Sequence, residues 1–157
     1  MRPFSWLSRL KYAALAGVAG WLAGVALTIP FEYGVAQRYV NGNAGEIPRV
    51  LAEGLLVWSA FTFFIAFVAW VPLVLPVLLL VPPAWLVRWR RLLVPCSVLV
   101  AGFAMGVRLN LFQHKNFVSE KAFLYAFGTA PYTFSLAFAL VLAVVYVKMA
   151  ARRLARG

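Results

Sequence analysis

Few side chains in this sequence could take part in chemistry, and most of them lie near the ends of apolar segments. His114 is the single histidine of the 157 residues, and Glu120 follows six positions later. A histidine oriented by a carboxylate can act as a general base. Because no convergent nucleophile and no metal-ligand spacing accompany this pair, we expect no catalytic residue, no metal and no cofactor, and we favour a protein that is not an enzyme.

Arg108 is the one charged residue clearly inside an apolar segment, and charges in such positions are candidates for function. It lies near one end of its segment, so its guanidinium could simply reach the headgroup region by snorkelling. The alternatives are an ion pair with Glu32, Glu53 or Glu120, or contact with an anionic substrate or a lipid phosphate. The sequence leaves these alternatives open.

Glycines recur at every fourth position in two of the apolar segments. Gly20 and Gly24 stand one helical turn apart in the first, as do Gly102 and Gly106 in the third. Small residues at this spacing let helix backbones approach closely in a bilayer, where apolar surface alone does not drive association. We interpret all four as helix-packing positions, and we predict that the first and third helices cross at them.

Each glycine series continues into polar residues toward the same end of its segment. Glu32 follows the first series, and Asn110 and His114 follow the second. If the two helices cross, these residues and Arg108 would frame a small polar vestibule that binds a ligand or pairs internally. Alternatively, Glu32 and His114 are ordinary loop residues in the headgroup region, since Pro30 could end the first helix.

The elements that must position these residues are membrane-spanning helices. The chain is 64% apolar and only 12% charged, which does not suit a soluble domain of this size. A bilayer core of about 30 Å needs about 20 apolar residues per helix. The sequence offers four such segments, at approximately residues 12–31, 54–83, 92–111 and 122–147. We therefore predict an all-α integral membrane protein with four transmembrane helices in a single domain, residues 1–157.

Prolines and turn-forming residues predict where these helices bend and end. The second segment is longer than a bilayer requires and contains Pro72 and Pro76, which should kink or tilt it. It should stop at Pro82 and Pro83, before a short interfacial loop rich in arginine and tryptophan. A longer loop is predicted for residues 32–53.

The distribution of basic residues predicts the orientation. The side shared by the two termini and the loop with Arg88, Arg90 and Arg91 is rich in Lys and Arg, whereas the other side holds all four acidic residues. The positive-inside rule then places both termini in the cytoplasm, and we expect a bacterial inner membrane. Topology accounts for the net charge of +11, so no nucleic-acid partner is expected. The three arginines are expected to bind anionic lipid headgroups.

The two halves of the chain resemble each other in the same order. Residues 18–27 and 100–109 share six of ten positions, and residues 61–67 and 132–138 share a Thr-Phe pair and an Ala-Phe pair. This pattern predicts two parallel repeats related by an axis along the membrane normal. Coincidence between helices of similar composition is the alternative. The repeats would be approximately residues 12–83 and 92–147.

The glycine series, the aromatic segments and the lack of large polar regions favour an accessory or structural subunit of a membrane protein assembly. Its partners would be membrane lipids and either other membrane proteins or further copies of itself. The first alternative is a homo-oligomeric transporter or channel for a small solute, with an anion as one candidate. The second is a membrane enzyme that acts on lipid at the outer face. No acidic residue lies at the middle of a segment, where a proton-coupled carrier would use one.

Overall fold

A computed structural model describes residues 5–40, 43–108 and 130–155, and all their regular structure is helical. The second span, Ala44–Leu80, consists of consecutive helical segments. With it, four helical segments are long and apolar enough to cross a membrane, as the sequence predicted. The elements are α1 Trp6–Tyr39, a 3-10 turn Ala44–Glu46, α2 Ile47–Ala69, the π-helical turn Trp70–Val74, α3 Leu75–Leu80, α4 Pro83–Arg88, α5 Arg90–Arg108 and α6 Ala130–Leu154.

The loop predicted for residues 32–53 is wrong over most of its length. α1 continues through Pro30 to Tyr39, and helical structure resumes at Ala44. Glu, Gln, Arg and Ala are good helix formers, so the helix extends beyond the apolar residues that marked the span in the sequence. Prolines are tolerated in membrane helices. As a result, Glu32 belongs to a helix and not to a loop.

The prolines of the second span act where the sequence placed them. Pro72 lies inside the π-helical turn Trp70–Val74, which interrupts the α-helix, and α3 ends at Leu80. The arginine-rich segment beyond it was predicted to be a loop, and this is wrong. α4 begins at Pro83, because proline is favoured in the first turn of a helix, and only Trp89 separates α4 from α5.

α6 is the central helix of the bundle. It packs along α1 and against α5, and it also contacts α4, whereas α2 packs chiefly on α1. The four spans differ in the burial of their most apolar 18-residue stretch. The share of its residues that are buried is 39% in α6, 22% in α1 and 12% or less in the other two spans. Within the described residues, the second span and α5 therefore leave most of their surfaces uncovered.

The start of α1 and the end of α6 lie at the same end of the bundle, which we call the terminal end. Ala13 and Ala16 near the start of α1 pack with Tyr146 and Ala150 near the end of α6. α1 and α6 are therefore antiparallel, and small residues allow their close approach. Leu86 of α4 belongs to the same cluster, so the short helix closes the terminal end of the core.

The helix contacts do not follow the two-fold axis that the sequence repeat suggested. With such an axis, α5 would correspond to α1 and α6 would correspond to α2. The contact between α1 and α6 would then be repeated between α5 and α2. Within the described residues, α5 packs mainly on α6 and touches α4. The duplication of residues 12–83 and 92–147 stays a prediction from the sequence.

Candidate functional site

The glycines of α1 are the points where α6 comes closest. A Cβ atom added to Gly20 would lie 2.7 Å from the backbone oxygen of Phe138. A Cβ atom added to Gly24 would lie 2.5 Å from the Cδ2 atom of Phe134. Real Cβ atoms essentially never approach within 3.0 Å, so the helices could not pack at this distance around larger residues. Both glycines are buried.

Gly102 of α5 also faces α6. A Cβ atom on Gly102 would lie 3.2 Å from Leu136 Cδ2 and 3.2 Å from the Tyr132 hydroxyl oxygen, and Gly106 is buried as well. The predicted crossing of the first and third helices at their glycines is therefore corrected: α6 is the neighbour of Gly20 and Gly24 on α1 and of Gly102 on α5. Glycine spacing shows that a backbone comes close, but it does not show which one.

Two tryptophan–threonine hydrogen bonds join α1 to α2. Trp21 Nε1 donates to Thr62 Oγ1 at 3.3 Å, and Trp58 Nε1 donates to Thr28 Oγ1 at 2.9 Å. Each threonine hydroxyl donates in turn to its own helix, Thr28 to the carbonyl of Val25 and Thr62 to that of Trp58, both at 2.8 Å. A threonine in a helix commonly makes such a bond to a preceding carbonyl of its own helix. The tryptophan donors come from the other helix, so the sequence carries no signal for them.

Glu32 lies at the interface between α1 and α2. A Cβ atom added to Gly54 would lie 3.2 Å from Glu32 Oε2, so the carboxylate packs against the glycine backbone of α2. The side chain is half-buried. The predicted polar vestibule also includes Asn110 and His114, which are outside the described residues, so the vestibule stays a prediction.

Arg108 is the last residue of α5. Of its three predicted acidic partners, Glu53 forms an exposed ion pair with Arg49 at 2.9 Å, and Glu120 lies outside the described residues. The choice between snorkelling, ion pairing and anion binding at Arg108 therefore stays open. Within the described ranges, no group of three or more His, Cys, Asp and Glu residues could hold a metal ion.

Two backbone carbonyls at the end of α3 lack their usual helical donors. In a continuing helix, the carbonyls of Leu78 and Leu79 would accept from the N–H groups four residues on. Those positions are Pro82 and Pro83, which have no N–H. An unpaired carbonyl in an apolar interior is costly, so other helices must supply donors.

Tyr146 and Arg9 supply these donors. The Tyr146 hydroxyl donates to the Leu78 carbonyl at 2.9 Å, and Arg9 Nη1 donates to the Leu79 carbonyl at 2.6 Å. Tyr146 is almost completely buried, and the Arg9 Nε atom is buried without a hydrogen-bond partner in the described structure. The terminal ends of α1, α3 and α6 are thereby joined. The sequence assigned Arg9 only to the topology signal.

A basic groove lies between the start of α5 and the end of α6, with a volume of about 400 Å³. Its rim consists of cationic side chains and its floor of small apolar ones. The residues of this basic groove are Arg90, Arg91, Lys148 and Arg152 at the rim, with Val94, Val144, Val147 and Ala151 at the floor. Of the three arginines that the sequence assigned to lipid headgroups, Arg90 and Arg91 line this groove, and Arg88 is exposed on α4 outside it.

An apolar groove of about 180 Å³ opens between α1 and the second span. Aromatic side chains from three helices surround it, including Trp21, Phe63 and Phe138. The indole Nε1 of Trp70 is buried there without a hydrogen-bond partner in the part of the chain that the structure describes. The packing between α1 and α2 is therefore incomplete along this stretch.

Four apolar helices of spanning length are those of a multi-pass membrane protein. Comparisons of the chain with models of protein families, with characterised proteins and with solved structures found no match. The function is therefore argued from the geometry of these interfaces and grooves.

Proposed function

We propose that this protein is a non-catalytic subunit of a membrane protein assembly, and that α2 is the helix that contacts the partner. The observation that carries this proposal is a stripe of large apolar side chains on the face of α2 that points away from α1. The stripe consists of Val57, Phe61, Phe64 and Val68, and each side chain is more than half exposed.

The spacing of this outer stripe suits a helix partner. Its steps of four, three and four residues are those of a heptad seam, which keeps one line of side chains against a neighbouring helix. Inside a bilayer, helices associate through close packing and not through apolar surface as such, so regular spacing matters more than hydrophobicity. Aromatic side chains at such positions provide large and rigid contact areas.

The attachment of the second span also favours an external partner. α2 packs chiefly on α1, which its Trp58 and Thr62 contact on the side opposite the stripe. The apolar groove beside Trp70 leaves even that contact incomplete. A partner helix on the stripe would hold the second span from its free side.

The experiment extracts the protein from its native membrane into lipid particles and identifies the proteins that remain bound at fixed stoichiometry. The test variant is Phe61→Ala/Phe64→Ala. We expect it to retain at least about tenfold less partner, because two interface aromatics each contribute more than about 1 kcal/mol. The matched control is Leu99→Ala/Phe103→Ala, one turn apart on the outer surface of α5.

Retention of the partner by the control and its loss from the α2 variant would support the proposal. Equal retention by both variants would contradict the role of the stripe. A particle that contains only copies of this chain would contradict the accessory role and favour the transporter or channel alternative.

We further propose that the terminal end faces the cytoplasm of a bacterial inner membrane, which the excess of Lys and Arg at that end supports. Single cysteines in a Cys96→Ser background test this orientation. With a membrane-impermeant maleimide added to spheroplasts, Gly45→Cys should react and Ala155→Cys should react only after lysis. The reverse pattern would contradict the orientation.

A further inference from the structure

We propose that the basic groove binds an anionic phospholipid, whose headgroup phosphate is held by the cationic rim and whose first acyl carbons lie on the apolar floor. This inference is independent of the proposed subunit role, because it concerns α5 and α6 and not the outer face of α2.

The rim gathers four positive charges from two helices. Arg90 and Arg91 are the first residues of α5, and Lys148 and Arg152 are one turn apart near the end of α6. None of the residues that line this groove is acidic. Like charges one turn apart repel each other, so an anion in the groove would relieve repulsion within the protein itself.

The start of α5 adds to this attraction. The N-terminus of a helix of 19 residues carries partial positive charge, which favours phosphate. The N–H groups of Leu92 and Leu93 already donate to the Trp89 carbonyl, so the arginine side chains supply the main donors. Here the helix end coincides with two arginine side chains, and arginine can bind phosphate oxygens through two parallel hydrogen bonds. The combination is a more specific phosphate site than either feature alone.

The floor distinguishes a lipid from a free anion. Three valines and an alanine lie below the rim, and they offer nothing to an inorganic ion. Apolar contact there would instead stabilise the glycerol and upper acyl region of a phospholipid. The groove thus matches both parts of an anionic lipid.

The position of the groove is also that of a headgroup. It lies where the apolar spans of α5 and α6 end. Trp85 and Trp89 lie at the same end, exposed and side by side with ring centroids 6.0 Å apart. Tryptophans mark the boundary between acyl chains and headgroups, and basic pockets between helices at this depth hold phosphorylated headgroups.

The four cationic side chains of the groove predict that lipids with more negative charge bind more tightly. A headgroup with one phosphodiester brings one negative charge, whereas diphosphatidylglycerol brings two phosphates that can contact both pairs of cations. We therefore expect diphosphatidylglycerol to bind more tightly than phosphatidylglycerol, and both more tightly than the zwitterionic phosphatidylcholine.

The test titrates the purified full-length protein in detergent with each of these three lipids, and native mass spectrometry counts the bound lipid. In the groove variant Arg91→Gln/Lys148→Gln, the affinity for diphosphatidylglycerol should fall about 30-fold, since each basic residue near the surface contributes about 1 kcal/mol. The control Lys11→Gln/Arg153→Gln removes the same charge at the same end but from exposed residues outside the groove. Its affinity should change less than about threefold.

Equal losses in the two double variants would overturn the site, because net charge alone would then explain binding. Phosphatidylcholine binding as tightly as the anionic lipids would overturn it as well. Inorganic phosphate that displaces the lipid at equal concentration would show an anion site in place of a lipid site. If the groove variant does not fold, Arg152→Gln and the ranking of lipids on the unmodified protein decide the question.

Discussion

Replacing Gly20 by alanine should destabilise the bundle, although alanine is the better helix former. The added Cβ atom would lie 2.7 Å from the backbone oxygen of Phe138, well inside the 3.0 Å limit of real contacts. A backbone oxygen in the middle of α6 cannot turn aside, so α1 and α6 must separate along their longest interface. Overpacking of this kind costs about 1–3 kcal/mol.

The gain in helix propensity offsets part of this cost. Glycine in a helix is less favourable than alanine by about 0.5–1 kcal/mol. For Gly20→Ala, we therefore expect a net loss of up to about 2.5 kcal/mol in the free energy of unfolding, and about 1 kcal/mol at the midpoints of the two ranges. Gly24→Ala should lose less, because its Cβ atom would meet the ring of Phe134, and a ring can move more easily than a backbone.

Gly34 is the matched control within the same helix. Nothing lies within 4 Å of a Cβ atom added there. Gly34→Ala should therefore show only the gain in helix propensity and stabilise the protein by about 0.5–1 kcal/mol. The assay is reversible unfolding of each variant in mixed micelles, followed by circular dichroism. If Gly20→Ala were as stable as Gly34→Ala, the close contact between α1 and α6 would be refuted.

Two further substitutions test the polar contacts between helices. Thr28→Val removes the acceptor of the Trp58 indole and should lower the free energy of unfolding by about 0.6–2 kcal/mol, the range for hydrogen bonds between membrane helices; no change in a micelle unfolding assay would contradict that bond. Tyr146→Phe leaves the Leu78 carbonyl without its donor and should cost about 1–3 kcal/mol, whereas Tyr33→Phe on the exposed side of α1 should cost less than about 0.5 kcal/mol. Equal melting temperatures for the two tyrosine variants would refute the proposed carbonyl role.

The helices of this protein could be predicted well from the sequence, because each apolar segment must form its backbone hydrogen bonds internally in a bilayer. Their ends were harder to place. Hydropathy marks where the apolar residues stop, whereas α1 stops at Tyr39, eight residues past the predicted end at Phe31. The polar residues in between still favour helix.

The partners of the packing residues could not be predicted in the same way. Gly20 and Gly102 were recognised as packing positions from spacing alone, yet both face α6 and not each other. The spacing of glycines on one helix carries no information about which side chains of a neighbouring helix pack against them. Phe134 and Phe138, which fill it on α6, resemble any other phenylalanine of a membrane span.

The hydrogen bonds between helices join residues that are far apart in the sequence, so most of them could not be predicted from it. The consecutive prolines 82 and 83 did carry a usable signal, since two prolines at a helix end always remove two donors. The identity of the replacements, Arg9 and Tyr146, follows only from the arrangement of α1 and α6 around α3. For the candidate site, the sequence identified the basic residues of both walls, but it did not show that Arg90 and Arg91 share one groove with Lys148 and Arg152.

The proposal that this chain is a subunit of a larger assembly is tested most directly by the mass and composition of the particle extracted from its native membrane. We expect a particle with at least one different membrane protein at fixed stoichiometry, which the Phe61→Ala/Phe64→Ala variant loses. A monomer, or an oligomer of this chain alone, would contradict it.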